Sequence, residues 1–154
     1  MGDVLRLRKH LSEPQPKPAW PGDIALVPVV DVKPEALHTI LEAAYLNGFG
    51  SVRSFAQWWP SILSDSEYDP DLLFIAADQS GQPVGLALCW NSGFIKDIAV
   101  DNAWRGRGIG ESLLHAVFAA CHQRGLDHVD LKVVAANAAA IRLYRRVGMV
   151  DING

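Results

Sequence analysis

The period of apolar and polar positions changes along the chain, and each change marks an element. Residues 4–11 (VLRLRKHL) alternate apolar and basic, which predicts a short edge strand or an ordered arm. Pro14, Pro16, Pro18 and Pro21 follow as an extended, semi-rigid connector. Residues 23–30 (DIALVPVV) read as a strand, and Pro28, lacking a ladder donor, assigns it to an edge. Leu37, Ile40, Leu41 and Ala44 recur at helical spacing over residues 34–46, with Asp31 a candidate cap and Pro34 near the first turn. A second helix is predicted over 52–63, carrying Phe55, Trp58 and Trp59. Strand patterns then occupy 72–77, 83–90 and 94–100, with turns at Asp78–Gln82 and Ser92–Gly93. Ile109, Leu113, Leu114, Val117, Phe118 and Cys121 form one helical face, closed by Gly125. Residues 128–134 (HVDLKVV) alternate again, and a last helix runs from Ala138 to Val147, stopped by Gly148.

This order is a three-stranded meander followed by strand, helix and strand. The second part predicts a right-handed crossover with parallel pairing, hence a mixed sheet in an α/β domain. The 154 residues suit one compact domain over 23–154, preceded by an arm and connector over 1–22. Only six residues remain after Gly148.

Composition and charge exclude more than they assign. A net charge of −3 and a pI near 5.9 give no broad basic footprint for nucleic acid. No run approaches the roughly 20 apolar residues that span a bilayer, and the first ten residues lack a signal-peptide core. Cys89 and Cys121 fall in a strand and a helix rather than a spaced framework, which reads as buried thiols in a reducing cytoplasm. The five histidines form no ligand cluster, so no metal site is expected.

The candidate chemistry concentrates in residues 94–110 (FIKDIAVDNAWRGRGIG), where a strand turns through a glycine-rich loop into a helix. Main-chain amides at such a junction lack internal partners, and the helix dipole adds about half a positive charge. Arg105 and Arg107 can fork onto phosphate oxygens, so an anion, and first a diphosphate, belongs here. Two common nucleotide loops do not fit. Counting from Gly106, the third glycine position of a dinucleotide fingerprint is Glu111. A P-loop needs a lysine where Glu111 stands.

What remains is Arg105-x-x-Gly108-x-Gly110 after Ile98-Ala99-Val100, which resembles the pyrophosphate loop of the GNAT superfamily of N-acetyltransferases. A second stretch supports it: Asn137-x-x-Ala140-x-x-Leu143-Tyr144-x-x-x-Gly148-Met149 resembles the late helix of that family, with Met149 in place of the usual Phe. The resemblance covers roughly Asp23 to Met149 and is strongest from Phe94 onward. It implies a mixed, mostly antiparallel central sheet flanked by helices. Family members usually end with two further strands; here the C-terminal end is shortened, and residues 150–154 are too few for a hairpin. The arm at 4–11 is the expected substitute strand, supplied within the molecule or exchanged in a homodimer.

The resemblance further implies acetyl transfer from acetyl-CoA, as acyl donor, to a primary amine of a small molecule, amino acid, peptide or protein. It assigns cofactor binding to Arg105, Gly106, Arg107, Gly108, Ile109 and Gly110, and to free main-chain groups of Ile98, Ala99 and Val100. Tyr144 is the implied general acid. At reference pKa values, full protonation of a thiolate by tyrosine is uphill by roughly 2 kcal/mol, which favours hydrogen-bond donation. The alternative for Tyr144 is core packing. Asn137 either bonds the pantetheine or caps its helix. Asp97 is the candidate base, or else a structural ion-pair partner, with Lys132 as its suggested cation. Phe49, Trp58, Trp59 and the acidic run Asp65–Asp71 are candidates for selecting a cationic amine, the alternatives being core and solvated loop. A catalytically weak acyl-CoA-binding regulatory module is the competing reading.

Overall fold

The computed structural model describes residues 3–152. Its first sheet contains four strands in spatial order β2-β3-β4-β5, all antiparallel neighbours: β2 (Ala25–Val27), β3 (Leu73–Ala77), β4 (Pro83–Cys89) and β5 (Ile95–Val100). Every residue of β3 and β4 is buried. Alternate side chains serve two cores. Phe74, Ala76, Val84, Ala87 and Cys89 meet helix α3 (Ile109–Gln123), while Leu73, Ile75, Leu86 and Leu88 meet helices α1 (Pro34–Tyr45) and α2 (Phe55–Ser64). Burial on both faces explains why these two strands read as continuous apolar runs rather than alternating ones.

The second sheet has the order β6-β1-β7, again antiparallel, built from β6 (His128–Val134), β1 (Val4–His10) and β7 (Val150–Asp151). The arm is therefore no edge strand. It pairs with β6 along all seven residues, Val4 opposite Val134 through His10 opposite His128, and accepts β7 on its other side. The substitute strand lies within the single chain. Leu7 is fully buried opposite Leu131, and Leu11, just after the strand, is also core. Helix α4 (Ala138–Arg146) leads from β6 to β7.

The expected parallel pairing of β5 with β6 shrinks to one bridge, Phe94 to Asp130. Beside it the Asp130 amide donates to the Gly93 carbonyl at 2.9 Å. A Cβ on Gly93 would lie 2.8 Å from the His128 carbonyl oxygen, and φ is +92° there, so only glycine lets the turn close on β6. Past this tie β6 follows β1, and the two sheets part.

Two local expectations change. Residues 23–30 give only the three-residue edge strand β2; Pro28 ends it, and Val29–Asp31 form a 3-10 turn. Asp31 does not cap α1, whose N-cap is Lys33 with Pro34 in the first turn. Cys89 and Cys121 are free and buried, their sulfurs 3.9 Å apart. No helix among the described residues is long and apolar enough to cross a membrane.

Candidate functional site

Where β5 and β6 separate, a cleft of about 740 Å³ opens. β5 is an edge of the first sheet and β6 an edge of the second, so main-chain groups on their facing sides have no ladder partner among the described residues beyond the single bridge. Ile98, Ala99 and Val100 line the cleft from β5, and Leu131 to Val134 from β6. A bulge in β5 aims the side chains: Asp97 is opposite Leu88 but Ile95 is opposite Cys89, so Lys96 is the extra residue.

At one end of the cleft, β5 runs through a 3-10 turn at Asn102–Trp104 into α3. Asp101 caps that turn by accepting from the Ala103 amide at 2.9 Å. Gly106 and Gly108 then take φ of +78° and +85°, with open space where a Cβ would point. Gly108 is the N-cap of α3 and brings no side-chain acceptor. The first helical bond is Ser112 amide to Gly108 carbonyl, at 3.1 Å. As a result the six amides from Gly106 to Glu111 have no protein acceptor among the described residues. A run of unpartnered amides at a helix start is an anion receptor. Gly110 also lets α4 approach: a Cβ there would sit 3.2 Å from Leu143 Cδ2.

Helix α4 forms the opposite wall. Tyr144 is buried to 8% exposure and lines the cleft, and its hydroxyl has no partner among the described residues. Burial raises its pKa to about 12, so the phenol keeps its proton. Asn137 lines the cleft as well, and its Oδ1 accepts from the Ala140 amide at 3.4 Å, a long cap bond. The structure therefore shows the capping contact, with the side-chain amide nitrogen still available.

The other end of the cleft centres on Asp97, which is 5% exposed. Its partner is not Lys132. The Tyr45 hydroxyl donates to Oδ1 at 2.5 Å, and Lys96 Nζ donates to Oδ2 at 3.1 Å. Lys132 instead stands across from Arg6 in the β1–β6 register and has no ion-pair partner among the described residues. Tyr45 ends α1, and its ring lies where a side chain on Gly50 would be: a Cβ there would meet the ring at 2.7 Å. His38 fixes the same loop, its Nε2 2.7 Å from the Arg53 carbonyl. Burial first, and then the Asp97 charge, push the Tyr45 pKa far up, so it too stays a donor.

Of the twelve site residues expected from sequence, the cleft gathers eleven and leaves out Arg107. The Arg107 guanidinium lies over the Trp104 ring at 4.7 Å and faces a separate cavity of about 650 Å³ beside Pro21–Ile24. Among the residues proposed for acceptor selection, only Phe49 lines the cleft. Trp58 is core, Trp59 packs against the same cluster, and the acidic run is elsewhere, with Asp69 paired to Arg124 at 2.8 Å and Glu67 bonded to the Ser92 amide. Sequence reasoning missed Tyr45, Lys96, Trp104 and Arg142, all cleft residues. The signal for Tyr45 was a polar-tipped aromatic ending the apolar stripe of α1; the others carried none.

Residues 35–149 match the family model described as the acetyltransferase (GNAT) family. The mycothiol acetyltransferase of Thermobispora bispora is 29% identical over 160 residues, which is 94% of this chain and 52% of that protein. The mycothiol acetyltransferase of Clavibacter michiganensis is 39% identical over 87 residues, 54% of this chain and 28% of that protein. A GCN5-related N-acetyltransferase from Sphaerobacter thermophilus has a similar structure, with a TM-score of 0.81 and 33% identity over 97% of this chain and 48% of that one. The chain thus spans about half, or less, of the length of these relatives.

Proposed function

We propose, for a chain that belongs to the acetyltransferase (GNAT) family, that it moves an acetyl group from acetyl-CoA to a primary amine in the cytoplasm. The observation that carries this reading is the run of six unpartnered amides at the start of α3, opening onto the gap between β5 and β6. Acetyl-CoA supplies an activated acyl carbon: a C–N bond forms as the C–S bond breaks, leaving a thiolate and releasing a proton from the amine.

The chain's residues meet each demand. The amides of Gly106 to Glu111 hold the pyrophosphate, and Arg105, which lines the cleft without an ion-pair partner among the described residues, adds a charge. Free main-chain donors on the open side of β5, at Ile98 and Val100, face the thioester oxygen, whereas Ala99, like Asp101, turns its main chain toward β4; one aligned donor contributes about 3 kcal/mol. Tyr144 hydrogen-bonds the departing sulfur. With its pKa at about 12, handing a proton to a thiol of ordinary pKa 8.5 is uphill by about 5 kcal/mol, so it donates a hydrogen bond and keeps the proton. Asp97 receives the amine proton, directly or through water, while Tyr45 and Lys96 hold its carboxylate.

The test is thiol release from acetyl-CoA across a panel of amines, run beside calorimetric titration with CoA. Binding with release supports the enzyme. Binding without release from any amine assigns the chain to the acyl-CoA-binding regulatory class, and neither binding nor release overturns the proposal.

A further inference from the structure

The acceptor end of the cleft carries charges that no structural need accounts for. Asp97 is buried, and Lys96 neutralises it at 3.1 Å. Lys132 lines the same cleft from β6, is exposed, and has no ion-pair partner among the described residues. These three side chains leave one net positive charge where the acceptor enters. Lys132 also stands directly opposite Arg6, and facing cations on paired strands destabilise a sheet. Arg6 is satisfied by Asp130 at 2.9 Å, which leaves Lys132 as the unspent cation. The acidic residues once expected to attract a cationic acceptor pair elsewhere, Asp69 with Arg124.

We propose that the acceptor is an amine that also carries an anionic group, with its nitrogen at Asp97 and its anion held by Lys132. This rests on the acetyl-transfer reading. A polycationic acceptor would bring further positive charge beside Lys96 and Lys132, whereas an anion compensates them. The two lysines act on the amine as well: neighbouring cations disfavour its charged form and ease loss of the proton that attack requires. Tyr45 fixes Asp97 from the other side, so the distance from carboxylate to Lys132 sets the acceptor's spacing.

The experiment compares kcat/KM for matched pairs: an α-amino acid beside its carboxamide, O-phosphoethanolamine beside ethanolamine, and spermidine as the polycation. The expected result is at least about a tenfold preference for the anionic member of one pair, the preferred pair identifying carboxylate or phosphate as the anion. Lys132→Gln abolishes that preference and Lys132→Glu reverses it, while CoA titration is unchanged. Preference for spermidine or the neutral partners overturns the inference, as does a preference that survives Lys132→Glu. Bound CoA with no release from any of these amines also overturns it, leaving the cofactor reading intact; absence of CoA binding counts against the acetyl-transfer reading itself.

Discussion

The two sheets draw on different parts of the chain; both contribute to one apolar core, and the second adds a buried ionic cluster to it. β3, β4 and β5 follow one another through short turns, and their sheet is sandwiched between two apolar cores. The sheet of β6, β1 and β7 joins residues 128–134, 4–10 and 150–151, and centres on a buried carboxylate. Asp130, 2% exposed, accepts two bonds from Arg6 and two from Arg8 at 2.7–3.0 Å. Burial works against its ionisation, but the hydrogen bonds from Arg8 and Arg6 outweigh it and hold the carboxyl below its ordinary range. Local hairpins make one wall; closing the chain's ends makes the other, which depends on the arm. The cleft is the seam between them.

Removing residues 1–11 breaks that dependence most severely. β6 loses its seven-residue partner, β7 loses the strand it pairs with, and the core loses Leu7 and Leu11. The expected loss is about 5 kcal/mol or more, comparable to a whole domain's stability. Urea unfolding of the truncated chain checks this; a midpoint near that of the full chain would show the second wall does not need the arm.

Tyr144→Phe tests the seam rather than the walls. It deletes one hydroxyl that has no partner among the described residues, so the fold stays and kcat falls about 100-fold, with CoA affinity within twofold. Unchanged turnover in a steady-state assay rejects the role given to Tyr144.

Asp130→Asn tests the ionic cluster of the second sheet. It keeps the shape of the side chain but leaves both guanidiniums without an anion, at a cost of about 2 kcal/mol. That cost is moderated because the Arg6 and Arg8 side chains are 42% and 28% exposed. No change in the urea midpoint would mean that the apolar residues of β1 alone hold the sheet.

The smallest effect is alkaline. An unfolded tyrosine titrates near pH 10, whereas burial raises Tyr144 to about 12 and Tyr45 further. The unfolded chain therefore loses these protons first. Their stabilisation is complete below about pH 10 and is lost as pH rises toward 12, by about 1 kcal/mol per buried tyrosine between pH 10 and 11. Chemical denaturation of Tyr45→Phe at pH 9 and 11 should show a correspondingly smaller decline; an equal decline contradicts the burial-driven shift.

The first sheet was legible because its signals are local. Gly93 and the Asp78–Gln82 turn punctuate consecutive strands, and α3 carries its apolar face and Gly125 stop in one stretch. The loop around Gly108 was legible for the same reason, since its backbone need is written in adjacent glycines. The place of β1 between β6 and β7 was not, because nothing in VLRLRKH says which strand 120 residues away will face it; Asp130 as the shared partner of Arg6 and Arg8 appears only once the register is known. The acceptor end failed likewise. Tyr45 meets Asp97 across 52 residues, and the bulge at Lys96 that turns Asp97 toward Tyr45 has no sequence mark. Tryptophans and acidic residues drew attention by type, but Trp58 was needed for the core and Asp69 for Arg124.

The central claim is that the seam between the two sheets receives CoA, with its pyrophosphate on the start of α3. Titrating CoA into the isotopically labelled protein while following each main-chain amide tests it most directly. The account predicts saturable shifts concentrated at Gly106–Glu111 and at Ile98–Val100, with residues 65–71 unmoved. Shifts centred elsewhere, or none at millimolar CoA, would contradict it.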